Sequence, residues 1–403
     1  MSDNSALPPR SPAPQEPDDP PAKASGSSLR LRQISDLSQV DQADWNHLSQ
    51  NNPFVDYRYL TTLERGGAVE AESGWTPCHL LAERDGQLVG AVPLYEKSHS
   101  YGEFVFDWAW ADAAQRAGLP YYPKLLAASP LTPVAGPRLM AGNDNAVRLA
   151  LAQGLQQVCA DADLSSVHVN FVDDDDAKAL TQAGFLARSD WQYHWQNRDY
   201  ENFDQFLAAL SHKKRKNIRQ ERRKLRDAGW TFERVTGDQA EDWHWEFIFA
   251  IYRNTFERKG NWPLLTKDIF RQLGQQFGEQ VLLVLAQREG QYQAGAWLIH
   301  DHHTLYGRYW GSFSDGPGLH FETCYYQGIE FCLEQNLKVF NPGAQGLHKV
   351  ARGFEPVKTH SFHELSHPGL RDAVRRSLEM EALHQEERGD ALREHSAFRQ
   401  EQG

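Results

Sequence analysis

Apolar residues along the chain recur alternately with a period near two and a period near 3.6, so the sequence reads as strands interleaved with helices. In the first half this pattern predicts a helix near 41–50, strands at 78–83, 87–95 and 103–108, and a further strand around 138–140. A helix at 145–162, a strand at 166–171, a helix at 173–183 and a strand near 192–196 follow. The second half predicts helices at 243–259 and 267–277, strands at 281–287, 294–300 and 304–310, a loop GSFSDGPG and a helix at 319–336. Two short strands then flank the segment 340–356. The expected class is α/β, a mixed arrangement with a central mixed sheet in each half.

Two stretches of the first half return in the second. LAERDGQLVGA (81–91) reappears as LAQREGQYQAGA (285–296), with one extra residue, each reading as strand, tight turn and strand. Gly184-Phe185 followed by Tyr193-His194 is matched by Gly353-Phe354 followed by Phe362-His363, at the same spacing and in the same order. Two matches in register predict a duplicated domain. At 403 residues the chain also exceeds what one hydrophobic core usually supports. The predicted division is a tail at 1–28, a first domain at 29–200, a second at 201–366 opening on a basic helix, and a charged helical or partly ordered tail at 367–403.

Residues 1–28 contain seven prolines and no apolar run, a composition that cannot bury enough surface to fold and that lacks a signal peptide's apolar core. Nothing in the chain approaches the apolar length of a transmembrane helix. The four cysteines, Cys78, Cys159, Cys324 and Cys332, lack paired metal-ligand spacing and read as reduced thiols of a cytoplasmic protein. A nucleophilic role for Cys324 or Cys332 requires a basic neighbour, and packing is the preferred reading. The net charge of −12 argues against a general nucleic-acid binder, but nine of the fifteen residues from His212 to Arg226 are Lys or Arg. As a helix this run faces Leu207, Leu210, Ile218 and Leu225 inward and raises Arg215, Arg219, Arg222 and Arg226 as an outward ridge. Lys213, Lys214, Arg215, Lys216 and Arg219 are the candidate phosphate contacts, for tRNA or a phosphorylated acceptor; the alternative is a solvated helix paired to acidic partners.

The segment FNPGAQGLHKVARGFEP (340–356) stops a strand at a Pro-Gly turn and then presents Gln345, His348, Lys349 and Arg352 beside flexible backbone. Such donors suit an anionic or acyl ligand. The loop with Gly311, Ser312, Gly316 and Gly318 leaves a strand and enters a helix, where free N–H groups attract phosphate or a developing oxyanion; an ordinary connection is the alternative. The helix it opens carries His320, Glu322 and Tyr326, and helical spacing sets Glu322 with Tyr326, and Tyr326 with Glu330, on one face. His320 and Glu322 are the proton-handling candidates, with the Tyr326 phenol orienting the attacking amine.

The motifs SHKKRKNIRQERRK (211–224), LYGRYWG (305–311), HFETCYYQGIEFC (320–332) and NPGAQGLHKVARGFEP (341–356) resemble the Fem-like predicted N-acyltransferases, a branch of the GNAT superfamily labelled as peptidoglycan biosynthesis or recognition proteins. The resemblance runs from about residue 31 to 365. It implies two tandem GNAT-like domains and transfer of an acyl group from an activated donor to an amine by direct aminolysis, with no metal or redox cofactor. Acyl-CoA is the expected donor, bound where two central parallel strands splay between the 311–318 loop and the strand end at 340–345. The alternatives are aminoacyl-tRNA as donor to a peptidoglycan-type precursor, and a recognition module without turnover. Leu347 stands where the family often has an acidic residue, which removes a catalytic candidate from that position.

Overall fold

A computed structural model describes residues 28–344, 346–394 and 396–399. The proline-rich tail, apart from Ser28, and Gln345 therefore lie outside the described residues.

The strands are β1 (Leu29–Ile34), β2 (Trp75–Pro77), β3 (His79–Arg84), β4 (Gln87–Val92), β5 (Leu94–Lys97), β6 (Lys124–Ala127) and β7 (Ser166–Val172) in the first half. They continue as β8 (Leu186–Gln196), β9 (Trp230–Thr236), β10 (Val281–Arg288), β11 (Gln291–His300), β12 (Thr304–Ser312), β13 (Val339–Asn341) and β14 (Glu355–Leu365). Eleven of them form one mixed sheet in the order β2-β5-β6-β7-β14-β8-β13-β12-β11-β10-β9, and β1-β3-β4 form a separate small sheet.

Both repeated hairpins are built alike. β3–β4 turns through Asp85 and Gly86, and β10–β11 through Glu289 and Gly290, all four with positive φ, the backbone of the turn that matches strand twist. Each hairpin also carries a bulge at the corresponding place, between Ala82 and Glu83 and between Ala286 and Gln287. The second pair of matched segments becomes β8 and β14, which pair with each other antiparallel. In that ladder Leu186 opposes His363 and His194 opposes Glu355, while Asp190 opposes Thr359. Leu186 corresponds to Glu355 and His194 to His363 in the repeat, so the ladder is two-fold symmetric about Asp190 and Thr359. Each half's last strand has crossed over: β14 pairs with β7, and β8 with β13. The sheet thus runs on across the division of the chain at residue 200.

In each half one parallel pair sits at the centre, β6 with β7 and β12 with β13. Behind the second pair, the helix Asp242–Arg258 crosses β12 so closely that a Cβ added at Gly311 would lie 2.2 Å from the carbonyl oxygen of Ile251. Gly311 is therefore fixed as glycine by packing against this helix.

Two local expectations change, and the expected helical tail gains a place in the fold. Residues 103–108 are not a strand: Lys124 Nζ donates to Glu103 at 2.8 Å and also to Asp107, and Phe104 adopts a positive φ, so the segment is an anchored loop leading into the helix Trp108–Arg116. Residues 138–140 contribute only a bridge from Met140 to Ala91, because the amides of Arg138 and Leu139 donate to the Asp176 carboxylate at 2.6 and 2.9 Å. Beyond residue 367 the chain is the helix Pro368–Glu394, docked through buried Leu370, Val374 and Leu378, with Trp191 Nε1 donating to the Gln385 carbonyl at 2.8 Å.

Replacing Gly311 by Ala forces the helix off β12. A urea titration should show a loss of about 1–3 kcal/mol, the usual range for overpacking.

Candidate active site

β12 and β13 run together only from Thr304 with Val339 to Tyr306 with Asn341. Beyond Tyr306, β12 continues to Ser312 while β13 ends at Asn341 and turns at Pro342, so the two part at their carboxyl ends. Arg308 sits at a bulge in β12, between Gly307 and Tyr309, and its Nη2 reaches the Leu131 carbonyl of the first half at 3.2 Å. The segment after β13 curls into a 3-10 helix, Leu347–Arg352, bounded by Gly346 and Gly353, both with positive φ.

Lys349 is buried at 2% exposure, and its ammonium donates to the Gly343 carbonyl at 2.6 Å. Among the described residues it has no carboxylate partner. Burial lowers its pKa to about 7; Cys324, if ionised, opposes the shift and Arg308 adds to it. His194 is pushed down to about 4 by burial and by Lys349. The Nε atoms of Arg308 and Arg352 are also buried without a hydrogen-bond partner among the described residues. Cationic donors therefore gather where the strands part; Arg352 is answered by Glu221 at 2.7 Å, while Lys349 has only a carbonyl among the described residues.

The helix entered through the 311–318 loop changes pitch: Leu319–Phe321 is α-helical, Glu322–Tyr326 is a π turn, and Gln327–Glu334 is α-helical again. Such single π turns occur often at functional sites. The extra residue sets Gln327, not Tyr326, against Glu322, whose Oε1 accepts from Gln327 at 2.8 Å. Arg222 completes the clasp: its Nε and Nη2 donate to the two Glu322 oxygens at 3.0 and 2.9 Å and its Nη1 to Glu330 at 2.7 Å. Glu322 is thus a buried partner of Arg222 with both oxygens occupied, which takes away the proton-handling role expected of it. Arg222 correspondingly points inward and leaves the expected outward ridge. Tyr326 is fully buried and donates to Glu221 at 2.5 Å; Glu221 also accepts from Arg352 at 2.7 Å. Tyr326 therefore braces the basic helix, with its hydroxyl committed to Glu221 and not to the orienting role expected of it.

His320 and His348, by contrast, come together through a residue that sequence reasoning passed over. The Tyr325 hydroxyl lies 3.1 Å from His320 Nε2 and 2.9 Å from His348 Nε2. On its other side His320 Nδ1 lies 3.4 Å from Cys324 Sγ. Burial lowers His320 to about 4, helped by the positive field of His348, Lys349 and Arg352, so the ring is neutral at pH 7. No sequence signal separates Tyr325 from Tyr326; the π turn decides which one points to His320. Arg352 stacks its guanidinium 3.3 Å over Phe321 and donates to the His348 carbonyl at 2.9 Å.

Loop residues expected to hold a donor are pinned locally. Phe313 N–H donates to the Gln293 carbonyl at 2.8 Å, the Ser312 hydroxyl donates within the turn to the Ser314 carbonyl at 2.5 Å, and Gly318 caps the helix with φ +89°. Gly316 packs near Leu319 and Trp230. On the basic helix, His212–Asp227, Lys213, Lys216 and Arg219 are exposed, Lys214 and Arg215 are half-buried, and Arg219 pairs with Asp204 at 3.1 Å. A cavity of about 370 Å³ lies on the first-half side of the 340–356 segment, lined by Phe104, Phe106, Gln192, Tyr193, Leu347 and Ser361 among others.

A model described as FemAB-like, peptidoglycan biosynthesis/recognition, matches residues 36–400. The chain belongs to the FemAB-like family. Among solved structures it is similar to FemX, with 12% identity, covering 85% of this chain and 100% of that one at a TM-score of 0.52. A tandem GNAT protein from clavulanic acid biosynthesis is 13% identical over 85% of this chain and 99% of that one, at a TM-score of 0.44. The structure of L-PGS from Bacillus licheniformis is 12% identical over 63% of this chain and 82% of that one, at 0.43. A search of curated proteins gave no match. The fold of this FemAB-like chain is the mixed α/β one expected from the sequence, and it is shared with FemX.

Two stability predictions follow from the buried charges. Arg222→Met leaves Glu322 buried without its ion pair and should cost about 3–5 kcal/mol in denaturant unfolding, with much of the loss recovered when Glu322→Met is added. Lys349 has a folded pKa of about 7 against an unfolded value of about 10.4, so the unfolded chain binds more protons between those pH values and stability rises with pH across them. The cost of burying Lys349 is complete below about pH 7, and Lys349→Met should therefore stabilise most there, its advantage fading towards pH 10 in a series of melts.

Proposed function

We propose that this FemAB-like protein is an N-acyltransferase that carries an acyl group from acyl-CoA to an amine, with a peptidoglycan-type precursor as the acceptor class that the family description suggests. The observation that carries this reading is buried Lys349, which has no carboxylate partner among the described residues, with the spare Nε donors of Arg308 and Arg352, at the point where β12 and β13 part. Aminolysis of a thioester builds negative charge on the carbonyl oxygen, and preorganised donors in a water-poor site stabilise that charge. An ammonium whose pKa lies near 7 both donates well and charges without great cost when an anion arrives. The amine enters from the 370 Å³ cavity, whose wall includes Gly346 and Leu347 of the same segment. His320, neutral at pH 7, and His348 beyond Tyr325 are the groups available to move the amine's proton. Gln345 we keep as a donor contact on its place in the sequence.

A second donor, aminoacyl-tRNA, is favoured by one feature: Lys213, Lys216, Arg223, Lys224 and Arg226 are exposed along a single helix. Calorimetric titration with acetyl-coenzyme A, and in parallel at fixed salt with charged tRNA, separates the two. Saturable binding of the coenzyme alone is expected; binding of tRNA alone moves the donor to aminoacyl-tRNA, and silence from both leaves a recognition module. Replacing Lys349 and Arg352 together by Met should weaken donor binding or transfer about tenfold or more, since each charged hydrogen bond contributes about 1.5–3 kcal/mol. A melt confirms that the variant folds, and unchanged turnover in it would place the site elsewhere.

A further inference from the structure

Ten large apolar side chains are exposed among the described residues, and three of them, Phe104 (40%), Phe106 (58%) and Leu347 (61%), line the one cavity of about 370 Å³. Apolar residues scattered singly over a surface need no explanation, but a group of them gathered around a cavity marks a ligand surface. Phe171 lines the same cavity. Phe104 and Phe171 are also the two aromatic residues, among the described ones, with positive φ, +61° and +56°. A bulky residue takes that backbone at a cost, and it persists where the surroundings hold it in place. Here the holding groups are visible. Lys124 Nζ donates to Glu103 and Asp107, on either side of Phe104 and Phe106, and Arg188 Nη1 donates to the Phe106 carbonyl at 2.8 Å. The Phe171 carbonyl accepts from Gly136 N–H at 3.0 Å. The aromatic wall is therefore fixed before a ligand arrives.

The polar side chains beside this wall are mostly engaged by the protein itself. Gln192 spans Pro133 and Asn341, and the Ser361 hydroxyl lies 2.9 Å from His363 Nε2. Thr359 donates to the Asp190 carbonyl at 3.3 Å, Arg188 Nε donates to Glu381 at 2.9 Å, and the Asp190 carboxylate meets Arg388 at 3.5 Å. A polar ligand loses free energy for each buried group left without a hydrogen bond, whereas an aryl or alkyl body asks for none. A cavity of about 150 Å³ takes benzene, so 370 Å³ has room for a ring and a short chain. Leu347 opens the 3-10 turn that carries Lys349 two residues on, so the apolar cavity and the cationic turn share a wall. Resting on the reading of this site as an acyl-transfer centre, we infer that the cavity selects the acceptor. It takes a primary amine borne on an apolar, ring-sized body, packed against Phe104, Phe106, Phe171 and Leu347, with the amine towards the turn of Lys349.

Calorimetric titration of the full chain with 2-aminoethanol, butylamine and 4-phenylbutylamine tests this, at about pH 7.5 where simple alkylamines are all protonated. Each buried methylene changes affinity about fourfold, so 4-phenylbutylamine should bind about tenfold or more tighter than butylamine, and butylamine tighter than 2-aminoethanol. Phe106→Ser combined with Leu347→Ser changes two exposed positions, and a melt checks that the variant folds. It should lower affinity for 4-phenylbutylamine about tenfold. Leu383→Ser, at an exposed position away from the cavity, should not change it. Equal affinities along the series, or a preference that survives in the double variant, overturn the inference. Acetyl- and octanoyl-coenzyme A are titrated in parallel: affinity that rises with acyl length and falls in the double variant gives the cavity to the donor's acyl group and overturns the acceptor assignment. Binding of acetyl-coenzyme A with a flat amine series removes the inference and leaves the transferase reading. Selection among the amines without binding of coenzyme or charged tRNA keeps the apolar-amine site and removes that reading.

Discussion

The antiparallel ladder between β8 and β14 is the constraint on which the rest of the molecule depends. Each strand closes a half to which it does not belong in sequence order, so neither half completes its sheet alone. The exchange turns two repeats into a single eleven-stranded sheet and brings the turn after β13 against first-half residues. Gln192 on β8 shows the consequence: it donates to the Pro133 carbonyl at 2.7 Å and accepts from Asn341 at 3.4 Å, tying both halves to the strand end where the candidate site begins. The cavity beside that site is walled by β8 and β14 for the same reason.

Within this frame the two halves treat buried charge differently. In the first, Lys124 is enclosed by Glu103 and Asp107 and its ammonium is answered on the spot. In the second, Lys349 has a carbonyl and no acid within reach among the described residues. The acids that are near, Glu221, Glu322 and Glu330, are committed to Arg352 and Arg222. The Arg222 pairs hold the basic helix onto the π-turned helix, the Glu221–Arg352 pair ties it to the 347–352 turn, and Lys349 is left without an acid among the described residues. A buried charge without a partner is costly, which gives its presence here a functional sense when a ligand supplies the missing partner.

Much of the architecture was legible because the signals were local. The matched hairpins announced themselves through Asp-Gly and Glu-Gly turns, and both proved to share turn and bulge. Leu207, Leu210, Ile218 and Leu225 were read as inward from spacing alone and are buried. The site was legible only in outline. His320, His348 and Lys349 were singled out by residue type, but Tyr325 was missed and Glu322 was given a role that Arg222, one hundred residues earlier, forecloses.

Hydrophobic period, turn chemistry and the internal repeat were set by the sequence itself, because each depends on residues a few positions apart. The pairing of the two closing strands and the direction in which Arg222 points depended on the tertiary structure, because they join residues far apart in the chain. The choice of Tyr325 over Tyr326 depended on it too: one added residue in a helical turn rotates every later side chain, and only packing against the basic helix and the 347–352 turn determines where that residue is taken up.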